Sequence, residues 1–337
     1  MKEIKWTIAF VLITTLLASS TFAKDQQLRP LTIQLNWATN VQFAGVLLAK
    51  KRGWYENAGI DLTIKGWKIG ILPIDEVTAG KAQIGVAEGD TLIKAGVKGN
   101  AIKAIATQFQ RTPFCIMSKK SLGIKTPEQL KGKKIGINST AVVMTKIVLA
   151  SKGLGLEDII TVSTGWDVQP LIKDEIDAYV GFMNDQPLTI KEKGYELNVI
   201  PAFKHGYDFY SGIFFVTDTM IQNQPELIQA FLNVTMRGWR EAFKTPYETA
   251  KMIVAEYYHE GSVRQQTESL KIFHALATIG IIAIGDSMIG IMDKRYWQKG
   301  VDILHKFNQI DKKIPAENLF TLKFVKNTFT SKLSKKK

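Results

Sequence analysis

Apolar and polar residues alternate with period two over Leu31-Thr32-Ile33-Gln34-Leu35-Asn36-Trp37, which predicts a strand. Phe43, Ala44, Val46, Leu47 and Leu48 then recur at helical spacing until Gly53 stops the helix. Alternation returns over Ile60-Asp61-Leu62-Thr63-Ile64. Strand, helix and strand within roughly thirty residues form a βαβ unit, whose parallel strands place their loops at one edge. The pattern repeats with a strand at Ile84–Ala87, a helix from Thr91 to Val97 and a strand from Ala101 to Thr107. Thr126-Pro127-Glu128-Gln129 has the capping-box form, and Lys134–Asn138 reads as a strand running into a helix near Thr140. Further strands are expected at Ile159–Ser163, Asp177–Phe182, Leu197–Pro201 and Ile213–Thr217.

Beyond Thr217 the texture becomes helical. Pro225 to Phe243 carries a helical stripe, and Thr245-Pro246-Tyr247-Glu248 repeats the capping-box form before a helix to about Tyr258. Two more helices are expected near Glu268–Ala277 and Asp293–Phe307. Strand–helix alternation followed by helices predicts an α/β protein with helices covering one lobe. A chain of 337 residues has room for two domains of ordinary size.

The first residues read differently. Lys2 and Lys5 precede an apolar stretch from Trp6 to Ala18, and Ser19-Ser20-Thr21-Phe22-Ala23 supplies small residues. That order reads as a cleaved secretory signal over residues 1–23 rather than an uncleaved anchor, since its apolar run is shorter than the span of about 20 residues a bilayer needs. No cysteine near Ala23 offers a lipid attachment point, so a free periplasmic protein without membrane insertion is expected. Cys115 is the single cysteine; it lies in Phe114-Cys115-Ile116-Met117 and reads as a buried small hydrophobe. The net charge of +13 is weighted to the end, where Lys323, Lys326, Lys332 and Lys335-Lys336-Lys337 face no carboxylate. Without basic–aromatic interleaving this is a solvated tail, and nucleic acid is not an expected partner.

Several segments carry a family resemblance. Leu35-Asn36-Trp37, Gln42-Phe43-Ala44-Gly45 and Ala49-Lys50-Lys51-Arg52-Gly53-Trp54-Tyr55 resemble the opening of the nitrate/sulfonate/taurine-type binding proteins of ABC importers. The similarity is to the branch that includes thiamine-pyrimidine-precursor binders and yeast pyrimidine synthases, although Ala38-Thr39 stands where that branch often has Val-Pro. Ile84–Asp90, Phe109–Pro113, Leu130–Gly136, Val180–Leu188, Tyr207–Tyr210, Met292–Gln298 and Ile314–Phe320 extend the likeness over nearly the whole mature chain. The resemblance implies a periplasmic-binding-protein type II fold: two mixed-sheet lobes, a ligand cleft between them and a helical C-terminal segment. The chain is then expected to cross between lobes near Arg111–Ile116 and Tyr207–Ile213. Lobe one would comprise residues 28–113 with 213–337, and lobe two residues 114–212.

In open α/β sheets ligands bind beyond the carboxyl ends of strands. That rule selects Asn36, Trp37, Gln42, Glu88, Asp90 and Gln110 on one side, and Trp166, Asp167, Asn184, Asp185, Tyr207, Asp208 and Tyr210 on the other. Aromatic and acidic residues dominate, which suits a flat heteroaromatic ring with N–H donors. Each has a structural alternative. Trp37 fits the core under strand alternation; Glu88 and Asp90 fit as N-terminal helix acids; Asn138-Ser139-Thr140 fits as a helix cap; Arg111 fits as the partner of an acid.

The resemblance implies a solute-binding component partnered by a permease and an ATPase, monomeric, without cofactor or metal. Its first-choice ligand is a thiamine pyrimidine precursor of the hydroxymethylpyrimidine or formylaminopyrimidine type. A flavin such as riboflavin is the second, and a sulfonate, taurine or nitrate the third. An enzyme is not expected. The related synthases need a loop histidine, where this chain has Phe43, and a cysteine-rich stretch, where it has one cysteine. The histidines His205, His259, His274 and His305 are late and scattered.

Overall fold

A computed structural model describes residues 27–280 and 284–333. The signal segment over residues 1–23 and the Lys335–Lys337 tail lie outside the described residues. In chain order the strands are β1 (Arg29–Gln34), β2 (Ile60–Lys65), β3 (Ile84–Ala87), β4 (Ile102–Phe109), β5 (Phe114–Lys119), β6 (Lys134–Ile137), β7 (Ile160–Ser163), β8 (Ala178–Phe182), β9 (Leu197–Pro201) and β10 (Ser211–Thr217). The helices that matter below are α1 (Ala44–Lys51), α2 (Pro73–Thr78), α3 (Gly89–Val97), α4 (Val142–Ala150), α5 (Gln169–Ile172), α6 (Gln186–Glu192), α7 (Asp218–Asn223), α8 (Pro225–Lys244), α9 (Pro246–Glu256), α10 (Val263–Thr278), α11 (Lys294–Lys306) and α12 (Lys323–Leu333).

The strands form two five-stranded sheets, ordered β2-β1-β3-β10-β4 and β7-β6-β8-β5-β9. In the first, β1 pairs parallel with β2 and β3, and β10 inserts antiparallel between β3 and β4. The second repeats the plan, with β6 parallel to β7 and β8, and β5 antiparallel between β8 and β9. The chain leaves the first sheet after Phe109, enters the second at Phe114 and returns between Pro201 and Ser211. This is the two-lobed type II periplasmic-binding-protein architecture, and the mixed α/β reading of the sequence holds.

Helices cover both faces of the first sheet. On one side α1, α8 and α10 bury Leu47, Phe231, Trp239 and Phe273 against Ile33 and Phe214. On the other, α3 and α11 bury Leu92, Trp297 and Val301 against Ile213 and Phe215. The crossing of α1 over α8 is the tightest: a Cβ on Gly238 would lie 1.9 Å from the Gly45 carbonyl oxygen. Only glycine lets the two backbones approach so closely.

Some boundaries differ from the sequence expectation. The first strand ends at Gln34, so Asn36 and Trp37 belong to the loop that follows. Thr126 and Gln129 do form a capping box, but it opens a single 3₁₀ turn over Pro127–Leu130. Thr245 makes no cap at α9, because its hydroxyl donates to the Glu241 carbonyl of the preceding helix at 3.1 Å. With only Thr245 between α8 and α9, continuation of one helix competes with initiation of the next.

Candidate ligand-binding site

The carboxyl ends of the two sheets face each other, and aromatic rings from both meet at the seam. Trp37, in the loop after β1, stacks on Trp67 from the loop after β2, with centroids 5.7 Å apart and planes 27° apart. Across the seam Trp37 meets Trp166 edge-on at 5.5 Å and Phe182 at 6.3 Å. Trp166, after β7, stacks on Phe182 at the end of β8 (5.2 Å, 22°), and Phe182 leans on Phe114 at 4.4 Å. Trp67 and Trp166 remain 39% and 36% exposed, so the cluster opens to solvent at its rim. Rings paired in this way offer flat faces between which a planar ligand can be held when the lobes part.

A polar row starts at Asn36, next to Trp37 in the chain. Asn36 donates to Glu88 Oε1 at 3.0 Å, and Gln42 donates to Asn36 Oδ1 at 3.5 Å. Glu88 stands at the N-cap position of α3 yet makes no cap with its side chain. Its carboxyl instead accepts from Asn36, with the Ser211 hydroxyl and the Gly212 N–H near enough to favour its charged form. Burial pushes Glu88 up to about 7 from 4.5; the Asp90 charge adds to this, and the Ser211, Asn36 and Gly212 donors oppose it. The helix-acid alternative therefore does not describe Glu88.

That shift has a measurable consequence. Below about pH 4.5 Glu88 is protonated in both folded and unfolded chains and contributes nothing. As pH rises toward 7 the unfolded chain releases its proton first, so the ligand-free fold loses stability and carries the full penalty above 7. Allowing for partial solvent contact, the loss is roughly 2 kcal/mol. Glu88→Gln is expected to flatten the pH dependence of urea unfolding between pH 4.5 and 8, read as the difference from the unmodified protein.

The other acids have different settings. Asp90 pairs with Lys94 one turn along α3 at 3.2 Å; burial, and after it the charges of Asp90 and Glu88, hold the Tyr207 phenol well above its ordinary range. Asp167 is exposed and caps the turn at Gln169 N (3.0 Å). Asn184 and Asp185 reach across to α10: Asn184 donates to Ser269 Oγ at 3.5 Å, and Gln265 donates to Asp185 Oδ1 at 3.4 Å. Burial raises the Asp185 carboxyl above its ordinary value. These two residues tie the second sheet to the helices of the first.

Three residues selected from the sequence stand apart from the rings. Asp208 is buried among Arg111, the Tyr296 hydroxyl and Lys299, the last at 3.0 Å. Arg111 also donates to Tyr296 Oη at 3.1 Å, so it is the partner of an acid rather than a free cation. Tyr210 accepts from Asp293 N at 2.7 Å, and Gln110 donates to the Ile291 carbonyl at 2.9 Å. Gln110, Asp208 and Tyr210 therefore fasten the two crossings to α11 and the segment before it. Asn138 bonds Thr140 N at 3.1 Å as a cap.

Residues missed in the sequence complete the seam. Trp67 follows β2 within Gly66-Trp67-Lys68-Ile69-Gly70, and the strand-end rule applied to that strand would have found it. Phe114 and Phe182 look like core from spacing alone, since one opens and the other closes an apolar run. Ser211 and Gly212 were hidden inside the returning crossover.

Comparison with known proteins gives the following. The family described as NMT1/THI5 like matches residues 40–249. Riboflavin-binding protein RibY of Chloroflexus aurantiacus is 22% identical over 88% of this chain and 86% of its own. The formylaminopyrimidine-binding protein of Halalkalibacterium halodurans is 18% identical over 95% and 99%. A 4-amino-5-hydroxymethyl-2-methylpyrimidine phosphate synthase of Legionella pneumophila is 27% identical over 66% and 72%. Among solved structures, the putative periplasmic sulfonate-binding protein SsuA of Methylobacillus flagellatus superposes with a TM-score of 0.68 at 16% identity, covering 91% of this chain and 96% of that one.

Proposed function

The chain belongs to the NMT1/THI5-like family, and we propose that it is the periplasmic solute-binding component of an ABC importer that captures a thiamine pyrimidine precursor. One observation carries this reading: aromatic rings from both sheets meet at Trp37, whose neighbour Asn36 begins a carboxyl-and-amide row. Stacked rings favour a planar heteroaromatic solute, and Glu88 with its amide neighbours suits exocyclic amino and ring nitrogen groups. The lobes, residues 28–113 with 213–337 and residues 114–212, would part about the two crossings and close on the ring. Export by residues 1–23 and delivery to a permease and ATPase complete the proposal.

The likeness to a riboflavin-binding protein over 88% of the chain favours flavin as the second reading. An isoalloxazine would use the same ring faces. A sulfonate would need a cation at the seam, and Arg111 is engaged by Asp208. The synthase reading is disfavoured by residue content: Phe43 is fully buried where the branch has histidine, and burial holds the lone Cys115 thiol far above its ordinary range.

A thermal-shift panel on the mature protein separates these readings. Ligand at 100 times its Kd stabilises the fold by about 2.7 kcal/mol. Hydroxymethyl- and formylaminopyrimidines are expected to raise Tm, with riboflavin and taurine giving smaller shifts. A shift with riboflavin alone, or taurine alone, would reject the pyrimidine assignment. Sustained turnover of an added substrate would reject the binding-only reading.

A further inference from the structure

Gln108 is 1% exposed on β4, and among the described residues neither its Nε2 nor its Oε1 has a hydrogen-bond partner. A buried carboxamide with both ends unpaired is unusual, because polar groups removed from water are nearly always satisfied. Its surroundings show what it faces. Ser211 pairs with Phe109 and Ile213 with Thr107, which sets Gly212 opposite Gln108. Ile213 also pairs with Ala87 of β3, so Glu88 borders the same glycine from the other side. Gly212 has φ +61°, and a Cβ there would lie 2.6 Å from Gln108 Nε2. Between the carboxyl of Glu88 and the amide of Gln108 there is thus a strand position with no side chain, held in a backbone conformation that favours glycine.

We propose that Gln108 is a specificity-determining ligand contact, reading an amidine edge (an amino group beside a ring nitrogen) with its Oε1 accepting the amino N–H and its Nε2 donating to the ring nitrogen. A carboxamide matches that edge bidentately, as glutamine and asparagine match the amino and ring nitrogens of adenine. Glu88, beyond Gly212, takes the next donor along the ring. The inference rests on the pyrimidine reading of the same site and adds the group that selects amino-substituted rings. A ring lacking the amino group leaves Oε1 buried and unpaired, which is how a site built for a hydrogen bond rejects an analogue without it.

The test compares the full mature protein with Gln108→Met, which keeps the length and removes both polar atoms. The probes are 4-amino-5-hydroxymethyl-2-methylpyrimidine and its des-amino analogue, titrated by calorimetry. Binding of the amino probe by the unmodified protein tests the pyrimidine reading; the ratio between variant and unmodified protein tests this inference. Gln108→Met is expected to melt no lower than the unmodified protein, to bind the amino probe at least about tenfold more weakly, and to lose the preference over the des-amino probe. Unchanged affinity and preference in Gln108→Met would overturn the assignment. If Gln108→Met does not fold, Gln108→Glu carries the test at a pH high enough to ionise the buried carboxyl, where it keeps the length but cannot present both a donor and an acceptor. Retention of the full preference by Gln108→Glu would likewise overturn the assignment.

Discussion

Asp208→Ala is expected to destabilise the fold by about 3–5 kcal/mol in chemical denaturation, the largest single-site loss in stability anticipated here. The carboxylate is enclosed by Arg111, the Tyr296 hydroxyl and Lys299, with Lys299 at 3.0 Å. Removing it leaves the Arg111 guanidinium, 16% exposed, without its acid. Arg111 lies on the outward crossing and Asp208 on the return, so the pair also joins the two strands between the lobes. Lys299→Ala should cost far less, because half of that side chain is in water. An Asp208→Ala protein of ordinary stability would show that the crossings are held by packing alone.

Trp37→Ala is expected to weaken binding of 4-amino-5-hydroxymethyl-2-methylpyrimidine about 100-fold, or about 2.7 kcal/mol. Replacing an aromatic platform under a heteroaromatic ring by alanine typically costs roughly 1–3 kcal/mol, and Trp37 is the ring that touches both sheets. Trp67→Ala should lose less, since Trp67 touches Trp37 and is 39% exposed at the rim. Calorimetric titration of the two variants reads the difference directly. Equal losses would place the ligand over Trp67 rather than between the lobes.

The fold was legible because its signals are periodic. Alternation over Leu31–Leu35 and over Ile60–Ile64 marked two strands, and the helical stripe beginning at Pro225 marked α8, a helix of 20 residues. Short elements were less visible: α2 and α6 are six and seven residues long, below what a 3.6-residue period can reveal. The strand-end rule selected Asn36, Trp37, Glu88 and Trp166, each of which lies within three residues of a strand's carboxyl end. It also gathered Gln110, Asp208 and Tyr210, which sit at strand ends too but face α11 and the segment before it, so position along the chain did not distinguish the cleft from the crossings. Gln108 escaped because the expected strand stops at Thr107, whereas β4 runs on to Phe109, and only the pairing of β4 with β10 sets Gly212 opposite Gln108.

The central claim is that a planar ring is held where the carboxyl ends of the two sheets meet. A crystal structure of the mature protein grown with 4-amino-5-hydroxymethyl-2-methylpyrimidine tests it most directly. The predicted result is the pyrimidine lying between Trp37 and the Trp166–Phe182 pair, with its polar edge on Glu88 and Gln108. A ligand bound away from those rings, or rings left in mutual contact in a protein shown by calorimetry to be saturated, would contradict it.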